Sequence, residues 1–159
     1  MKYSTTTPEA VLEKTPPEQE KIHRVCFVCT GNTCRSPMAA ALYNHLHEGE
    51  PIIAFSAGLA ALEGDPIALN ALLALKSRGV VSTEKNNYES HTATMLTKGM
   101  IDASDAIYAL TSRHYIALCT AFPEEIDKFH VLGEIADPYG GSLAVYQQTL
   151  SEIEEALHE

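Results

Sequence analysis

Residues 25–37 read Val-Cys-Phe-Val-Cys-Thr-Gly-Asn-Thr-Cys-Arg-Ser-Pro. The apolar start of this stretch is typical of a buried strand, and Pro37 stands where the first turn of a helix tolerates a proline. Between them, Cys29 and Arg35 mark the two ends of a short arc. An arc of this length at the start of a helix can close around one tetrahedral anion. The stretch therefore predicts a strand, an anion-binding loop and a helix in succession.

The loop carries the residue types that phosphate chemistry needs. The first N–H groups of a helix are unpaired, and the helix dipole adds positive partial charge there. The same field favours thiolate over thiol, so Cys29 is expected to be a strong nucleophile. The planar fork of Arg35 matches two equatorial oxygens of a transferring phosphoryl group, which a lysine would not. The remaining loop residues are expected to contact the phosphate: Thr30, Gly31, Asn32, Thr33 and Cys34.

A candidate acid lies about a hundred residues downstream, in Asp137-Pro138. Asp137 is expected to protonate the leaving atom and then, as a carboxylate, to activate water. Ser36, next to Arg35, can donate a hydrogen bond to the sulfur of Cys29 as it departs. These groups need no metal ion and no other cofactor, and none is expected.

Together these residues resemble the signature of the low-molecular-weight protein tyrosine phosphatases, Cys-x5-Arg-Ser-Pro near the N-terminus with a late Asp-Pro. The resemblance covers residues 22–157. It implies phosphorylated proteins as substrates, and it implies that Tyr139 forms a wall of the cleft. It also implies a hydrogen-bond network that braces the loop, formed by Asn32, Ser36, Ser56 and His91.

Thr33 leaves the substrate open, because eukaryotic relatives usually have a bulky aliphatic residue there. With the Asp-Pro-aromatic-Gly-Gly sequence at 137–141, it resembles bacterial protein-arginine phosphatases of the same family. A hydroxyl offers a polar contact, and Asp137 can pair with the guanidinium of phosphoarginine. Tyr139 can instead stack on phosphotyrosine. Both substrates therefore remain candidates.

Other functions on this fold fit the sequence less well. Arsenate reductases need two further cysteines near residues 80–92, where this chain has none. Sugar-transport phosphocarrier domains lack the loop arginine and the late aspartate. A non-catalytic phosphoprotein-binding module would have lost Cys29 or Asp137. The pair Cys26-x-x-Cys29 resembles a redox or zinc dithiol, but Cys26 falls inside the predicted strand, so no metal site is expected.

Cys34 is a second thiol in the same loop. Relatives with this cysteine pair imply that it forms a reversible disulfide with Cys29 after peroxide oxidation, and the alternative is that it only packs against the sheet. Cys119 is expected to pack within a helix. No partner is evident for His114 or His130.

Strand and helix patterns alternate from residue 21 onward. Strands are predicted at 22–28, 52–56, 106–110 and 129–132. Helices are predicted at 37–47, at 66–78 with Asp65 as the cap, Pro66 first and Gly79 as the stop, near 98–102, at 112–121 after Thr111, and after Ser142. This alternation predicts a single-domain α/β fold: a doubly wound four-stranded parallel sheet with helices on both faces. Ligands of such sheets bind at the carboxyl ends of the strands, where Cys29 and Asp137 fall.

Residues 1–20 are rich in threonine, proline and scattered charge, which predicts a disordered tail. The tail is either a docking arm or a dispensable extension. Residues 21–159 form the predicted phosphatase domain, with no second domain or repeat.

Composition limits the partners and the location. The net charge of −10 argues against nucleic acid, whose binders present a cationic face. No apolar run approaches the roughly 20 residues that span a bilayer, and the N-terminus is too polar for a secretory signal. A cytoplasmic location and no membrane partner are therefore expected. The oligomeric state is left open.

Overall fold

One parallel sheet of four strands forms the centre of the molecule. The computed structural model describes residues 21–158, so the predicted tail at 1–20 lies outside the described residues. The strands lie in the order β2-β1-β3-β4. They are β1 (His23–Cys29), β2 (Ile52–Gly58), β3 (Ala106–Ala109) and β4 (Phe129–Val131).

Within residues 21–158, five α-helices cover both faces of this sheet. They are α1 (Arg35–Leu46), α2 (Leu69–Ser77), α3 (Lys98–Ala103), α4 (Ser112–Ala121) and α5 (Leu143–Leu157), with short 3-10 turns at Tyr88–Ser90 and Pro123–Lys128. Buried residues of α1, α2 and α5 share one core, and those of α3 and α4 share the other. The predicted doubly wound four-stranded α/β fold is therefore confirmed.

Strand β1 is buried on both faces, as its continuous apolar run predicts. Val25, Phe27 and Cys29 face the core beneath α1, α2 and α5, whereas Cys26 and Val28 face the opposite core. Cys26 and Cys29 thus lie on opposite sides of the sheet and cannot act as a dithiol. Burial raises the pKa of Cys26 to about 12, so this thiol stays protonated at neutral pH.

The strand order places a crevice at the carboxyl ends of the two central strands. The chain leaves β1 for β2 on one side, and it returns to β3 on the other side of β1. In open α/β sheets, ligands bind at such a reversal. The loops that follow β1, β2, β3 and β4 all meet at this edge and supply the candidate site.

The start of α2 was predicted wrongly. Asp65 does not cap this helix, and Pro66 is not its first residue, because α2 begins at Leu69 with Ala68 as N-cap and no side-chain cap. Pro66 instead pairs with Thr92 in an antiparallel bridge. Local capping chemistry is overruled here by contacts that hold the segment in an extended path.

Other predicted ends differ from the observed bounds by one or two residues. The caps at Thr111 and Ser142 are confirmed, because their hydroxyls accept hydrogen bonds from the amides of His114 and Val145 at 3.2 and 3.4 Å. Gly79 adopts a φ of 86° just after α2, so it ends the helix as predicted.

Candidate active site

The loop at 29–34 turns its carbonyl groups outward. The carbonyl oxygens of Cys29, Thr30 and Thr33 accept hydrogen bonds, each at 2.9 Å, from the amides of Leu59, Ala60 and Ala68. Within residues 21–158, the amides of 30–34 donate to no acceptor. Because a trans peptide points its N–H away from its carbonyl, these amides face the concave side of the loop. The loop is therefore built to receive an anion.

Asn32 takes the left-handed conformation that bends this loop, with a φ of 60°. Its amide nitrogen donates to Ser36 Oγ at 2.8 Å and to Ser56 Oγ at 3.0 Å, and its side-chain oxygen accepts from the amide of Thr94 at 2.9 Å. Asparagine tolerates this conformation better than most residues, and the bonds hold it there. The side chain is completely buried.

His91 adds a further bond to the same residue. Its Nε2 lies 2.8 Å from the carbonyl oxygen of Asn32, so it carries the proton and donates. Burial lowers the pKa of His91, and the carbonyl bond opposes this shift without reversing it. A neutral imidazole therefore braces the loop from the segment after the Tyr88–Ser90 turn.

The Cys29 sulfur and the Ser36 hydroxyl lie 2.9 Å apart. Since Ser36 Oγ already accepts from the Asn32 amide, its own proton is free to point at the sulfur. The contact joins the end of β1 to the first turn of α1, and Cys29 and Ser36 are at most 2% exposed.

Arg35 and Asp137 meet at the mouth of the loop. Arg35 Nη1 donates to the carbonyl of Ile135 at 3.0 Å, and Nη2 lies 3.6 Å from Asp137 Oδ2. The guanidinium is almost buried, whereas the Asp137 side chain is 54% exposed. Arg35 therefore fixes the segment that carries the acid and keeps further N–H donors for an anion.

Gly58 allows the loop to lie against the end of β2. A Cβ at this position would come within 2.6 Å of the Thr30 carbonyl oxygen and 3.0 Å of Asn32 Cβ. Sequence reasoning gave a role to Ser56, two residues earlier, but none to Gly58. Only glycine permits the approach through which Leu59 and Ala60 reach the loop carbonyls.

Cys34 packs against α5. It is 5% exposed, and its sulfur lies 3.3 Å from the Tyr146 hydroxyl. Burial raises the pKa of this thiol. The sequence does not indicate this contact, because Tyr146 lies 112 residues after Cys34.

His114 does have partners, contrary to expectation. It is 5% exposed, and its Nε2 lies 2.8 Å from Thr30 Oγ1. Its position three residues after the Thr111 cap signals only a local contact. The sequence does not predict the contact with Thr30, which lies 84 residues earlier.

The two residues that bear on substrate choice lie at the rim. Thr33 is half-buried and Tyr139 is 77% exposed. Tyr139 follows Asp137 closely, since its amide donates to Asp137 Oδ1 at 3.1 Å. Tyr139 thus lies beside Asp137, while Thr33 is a polar residue of the loop itself.

In the part of the chain that the structure describes, no three metal-ligating side chains cluster. Among the same residues, no helix is both long and apolar enough to cross a bilayer.

Comparison with known proteins agrees with this geometry. The profile of the family described as low molecular weight phosphotyrosine protein phosphatase matches residues 24–159. A protein-arginine-phosphatase of Geobacillus stearothermophilus is 38% identical over 83% of this chain and 89% of its own. The crystal structure of a low molecular weight protein tyrosine phosphatase from T. tengcongensis is 34% identical over 86% of this chain and 95% of its own, with a TM-score of 0.78.

A second similar structure is a Cys-to-Ser mutant of YwlE arginine phosphatase with a phosphorylated active-site serine. It is 33% identical over 84% of this chain and 90% of its own, with a TM-score of 0.75. The loop geometry, the family match and these identities point the same way. The chain belongs to the low molecular weight phosphotyrosine protein phosphatase family of hydrolases.

Proposed function

We propose that Cys29 is the nucleophile of a metal-independent protein phosphatase and that Asp137 is its general acid and base. The observation that carries this assignment is the 2.9 Å contact between the Cys29 sulfur and the Ser36 hydroxyl at the floor of the amide-lined loop. A thiolate held there faces the position that an anion takes among the loop amides. The phosphorylated serine of the YwlE mutant supports a phosphoenzyme on the residue at this place.

In the first step, the Cys29 sulfur attacks phosphorus, so an S–P bond forms as the bond to the leaving atom breaks. The amides of 30–34 and the guanidinium of Arg35 bind the three equatorial oxygens and stabilise the charge that develops on them. Asp137 donates its proton to the leaving atom. The products are a phosphocysteine and a leaving group that carries the proton from Asp137.

In the second step, water attacks phosphorus and the Asp137 carboxylate takes the proton of that water. The S–P bond breaks, and sulfur leaves as a thiolate that accepts the Ser36 hydroxyl hydrogen bond. Inorganic phosphate is released. The side chains of Asn32, Ser56 and His91 touch no reacting atom and hold the loop in shape.

We propose phosphoarginine in proteins as the substrate. The half-buried Thr33 places a hydroxyl in the loop. The exposed carboxyl group of Asp137 keeps one oxygen that can accept a hydrogen bond from a guanidinium, while its other oxygen carries the proton for the leaving nitrogen. The Geobacillus stearothermophilus relative, which is named for this activity, supports the choice. The P–N bond also suits Asp137, because the leaving nitrogen needs a proton.

Phosphotyrosine is the second candidate, because the exposed ring of Tyr139 lies beside Asp137 and can stack on an aromatic leaving group. Relatives named protein-tyrosine-phosphatases support it as well.

A parallel assay on phosphoarginine and phosphotyrosine peptides of the same sequence tests the choice. The proposal expects the larger kcat/KM for phosphoarginine, and Thr33→Ile should shift the ratio towards phosphotyrosine by exchanging a hydroxyl for apolar volume. Thr120→Ile, on α4, is the matched control and should leave the ratio unchanged. A parent that prefers phosphotyrosine, or a ratio that Thr33→Ile leaves unchanged, contradicts the role given to Thr33.

A cytoplasmic location is part of the proposal, because a thiolate nucleophile must stay reduced and reducing conditions prevail there. The four cysteines are free thiols, which suits such a compartment.

A further inference from the structure

The imidazole of His114 connects the start of α4 to the phosphate loop. Both of its ring nitrogens are engaged: Nδ1 lies 2.9 Å from Thr111 Oγ1, and Nε2 lies 2.8 Å from Thr30 Oγ1. A buried imidazole with two hydroxyl partners is held in one orientation. The mechanism described above makes no use of this residue.

Thr30 follows the nucleophile directly and is held by hydrogen bonds to its backbone and to its side chain. Its carbonyl oxygen accepts from the amide of Ala60 at 2.9 Å, and its side chain, although exposed, contacts His114. The Thr30 carbonyl shares a rigid peptide plane with the amide of Gly31. Whatever holds Thr30 therefore sets the direction of one of the first amides of the loop.

We propose that His114 is a positioning residue that holds Thr30 so that the first loop amides stay aimed at the phosphoryl oxygens. The role rests on the proposed function, because it acts through phosphate bound in the loop. It explains why a polar, titratable side chain is buried behind the catalytic loop.

The charges around His114 are consistent with this role. Burial lowers its pKa first, and Arg35 lowers it further. Arg113 acts in the same direction, while Asp137 and Glu134 act against it. The ring is therefore neutral at pH 7 and holds Thr30 by hydrogen bonding alone.

Two conservative substitutions separate this role from local packing. Glutamine places its amide near the Nε2 position of histidine and can still reach Thr30, whereas asparagine places its amide near Nδ1 and can reach only Thr111. A positioning role through Thr30 predicts damage in His114→Asn and rescue in His114→Gln. A role confined to the start of α4 predicts the reverse order.

The measurement is competitive inhibition by inorganic phosphate of aryl phosphate hydrolysis, with melting temperature recorded for every variant. His114→Asn should raise the inhibition constant and KM about three- to tenfold, the usual worth of one neutral hydrogen bond, with a smaller change in kcat. Thr30→Val removes the same hydrogen bond from the Thr30 side, so it should raise the phosphate inhibition constant and KM by the same factor as His114→Asn. Because both changes break one bond, the double variant should be no worse than either single one.

Thr120→Val is the control on the same helix, since its hydroxyl bonds only within α4, and its inhibition constant should equal that of the parent. Three results would overturn the positioning role. The first is an unchanged phosphate inhibition constant and KM in both His114→Asn and Thr30→Val. The others are additive effects in the double variant, or better function in His114→Asn than in His114→Gln. Should His114→Asn fail to fold, Thr30→Val alone decides. If phosphate does not inhibit the parent at all, the proposed function itself fails.

Discussion

The phosphate loop and the acid segment at 136–141 are held in very different ways. Asn32, Arg35 and Ser36 are at most 7% exposed, and the loop carbonyls are tied to three other segments of the chain. In the acid segment, the side chains of Asp137 and Tyr139 are largely exposed. This segment contains its own turn, in which the amide of Gly141 donates to the Pro138 carbonyl at 2.8 Å, and it is tied to the rest of the chain by Arg35 and by Asn70, whose side-chain amide donates to the Gly141 carbonyl at 3.2 Å.

The difference teaches how the two tasks are divided. Stabilising charge on phosphoryl oxygens requires donors fixed before the reaction begins, which a buried and cross-braced loop provides. Exchanging protons with a leaving group and then with water requires an acid that solvent and substrates of different shape can reach. We therefore expect changes that displace the loop backbone to alter every substrate alike and changes in the acid segment to depend on the leaving group.

The largest effect should follow Cys29→Ser. A serine hydroxyl is a far weaker nucleophile at neutral pH, so turnover of every substrate should fall to background while phosphate still binds. Steady-state kinetics and phosphate titration check this. Appreciable turnover with several substrates would show that the sulfur is not the attacking atom.

Asp137→Asn should have the next largest effect, and the size of that effect should depend on the leaving group. Loss of a general acid costs about 10²- to 10⁴-fold, with the greatest loss for poor leaving groups that need protonation. A series of aryl phosphates with different leaving-group pKa values measures this as a steeper dependence of rate on that pKa. An equal loss across the series would contradict the division between the two segments.

A matched pair of glycines compares the segments directly. A Cβ on Gly58 would lie 2.6 Å from the Thr30 carbonyl, and one on Gly141 would lie 2.9 Å from the Pro138 carbonyl. Gly58→Ala should raise KM and the phosphate inhibition constant for all substrates, because it displaces the loop. Gly141→Ala should instead lower kcat, mostly for poor leaving groups. If both variants behave alike, the contrast between the segments is wrong.

The smallest effect concerns stability and pH. The pKa values of His91 and His114 are lowered from 6.5 in the folded chain, in both cases mainly by burial. The unfolded chain therefore binds more protons as pH falls below about 6.5, and the free energy of unfolding should fall with it, by at most about 1.4 kcal/mol per pH unit for each histidine.

Urea denaturation at pH 7.5 and 5.5 measures this effect. Replacing both histidines by glutamine should reduce the dependence of the free energy of unfolding on pH. The carboxyl of Glu134, whose pKa is lowered from 4.5, adds its own slope only at lower pH. An unchanged slope in the double variant would show that other groups are responsible.

The fold was largely predictable because its signals are local. The apolar run at 25–28 and the caps at Thr111 and Ser142 each act within a few residues. The start of α2 was not predictable, because the pairing of Pro66 with Thr92 overrides a plausible helix cap at Asp65.

The site divides in the same way. The loop motif placed Cys29 and Arg35 together, and the sheet topology explains why Asp137 joins them. His114, Tyr146 and Gly58 were missed as loop contacts, since each acts on a residue far away in sequence through a single hydrogen bond or a steric gap. The spacing of residues along the chain does not predict such contacts.

The central claim is that phosphate passes through a bond to Cys29, and trapping that bond tests it most directly. Asp137→Asn should be mixed with an aryl phosphate that has a good leaving group, in buffer with a metal chelator, then quenched and mapped by mass spectrometry. Attack should still occur while water activation is slowed, so the peptide that contains Cys29 should carry one phosphoryl group. A phosphoryl group on another residue, none at all despite continued turnover, or a requirement for divalent metal would contradict the account.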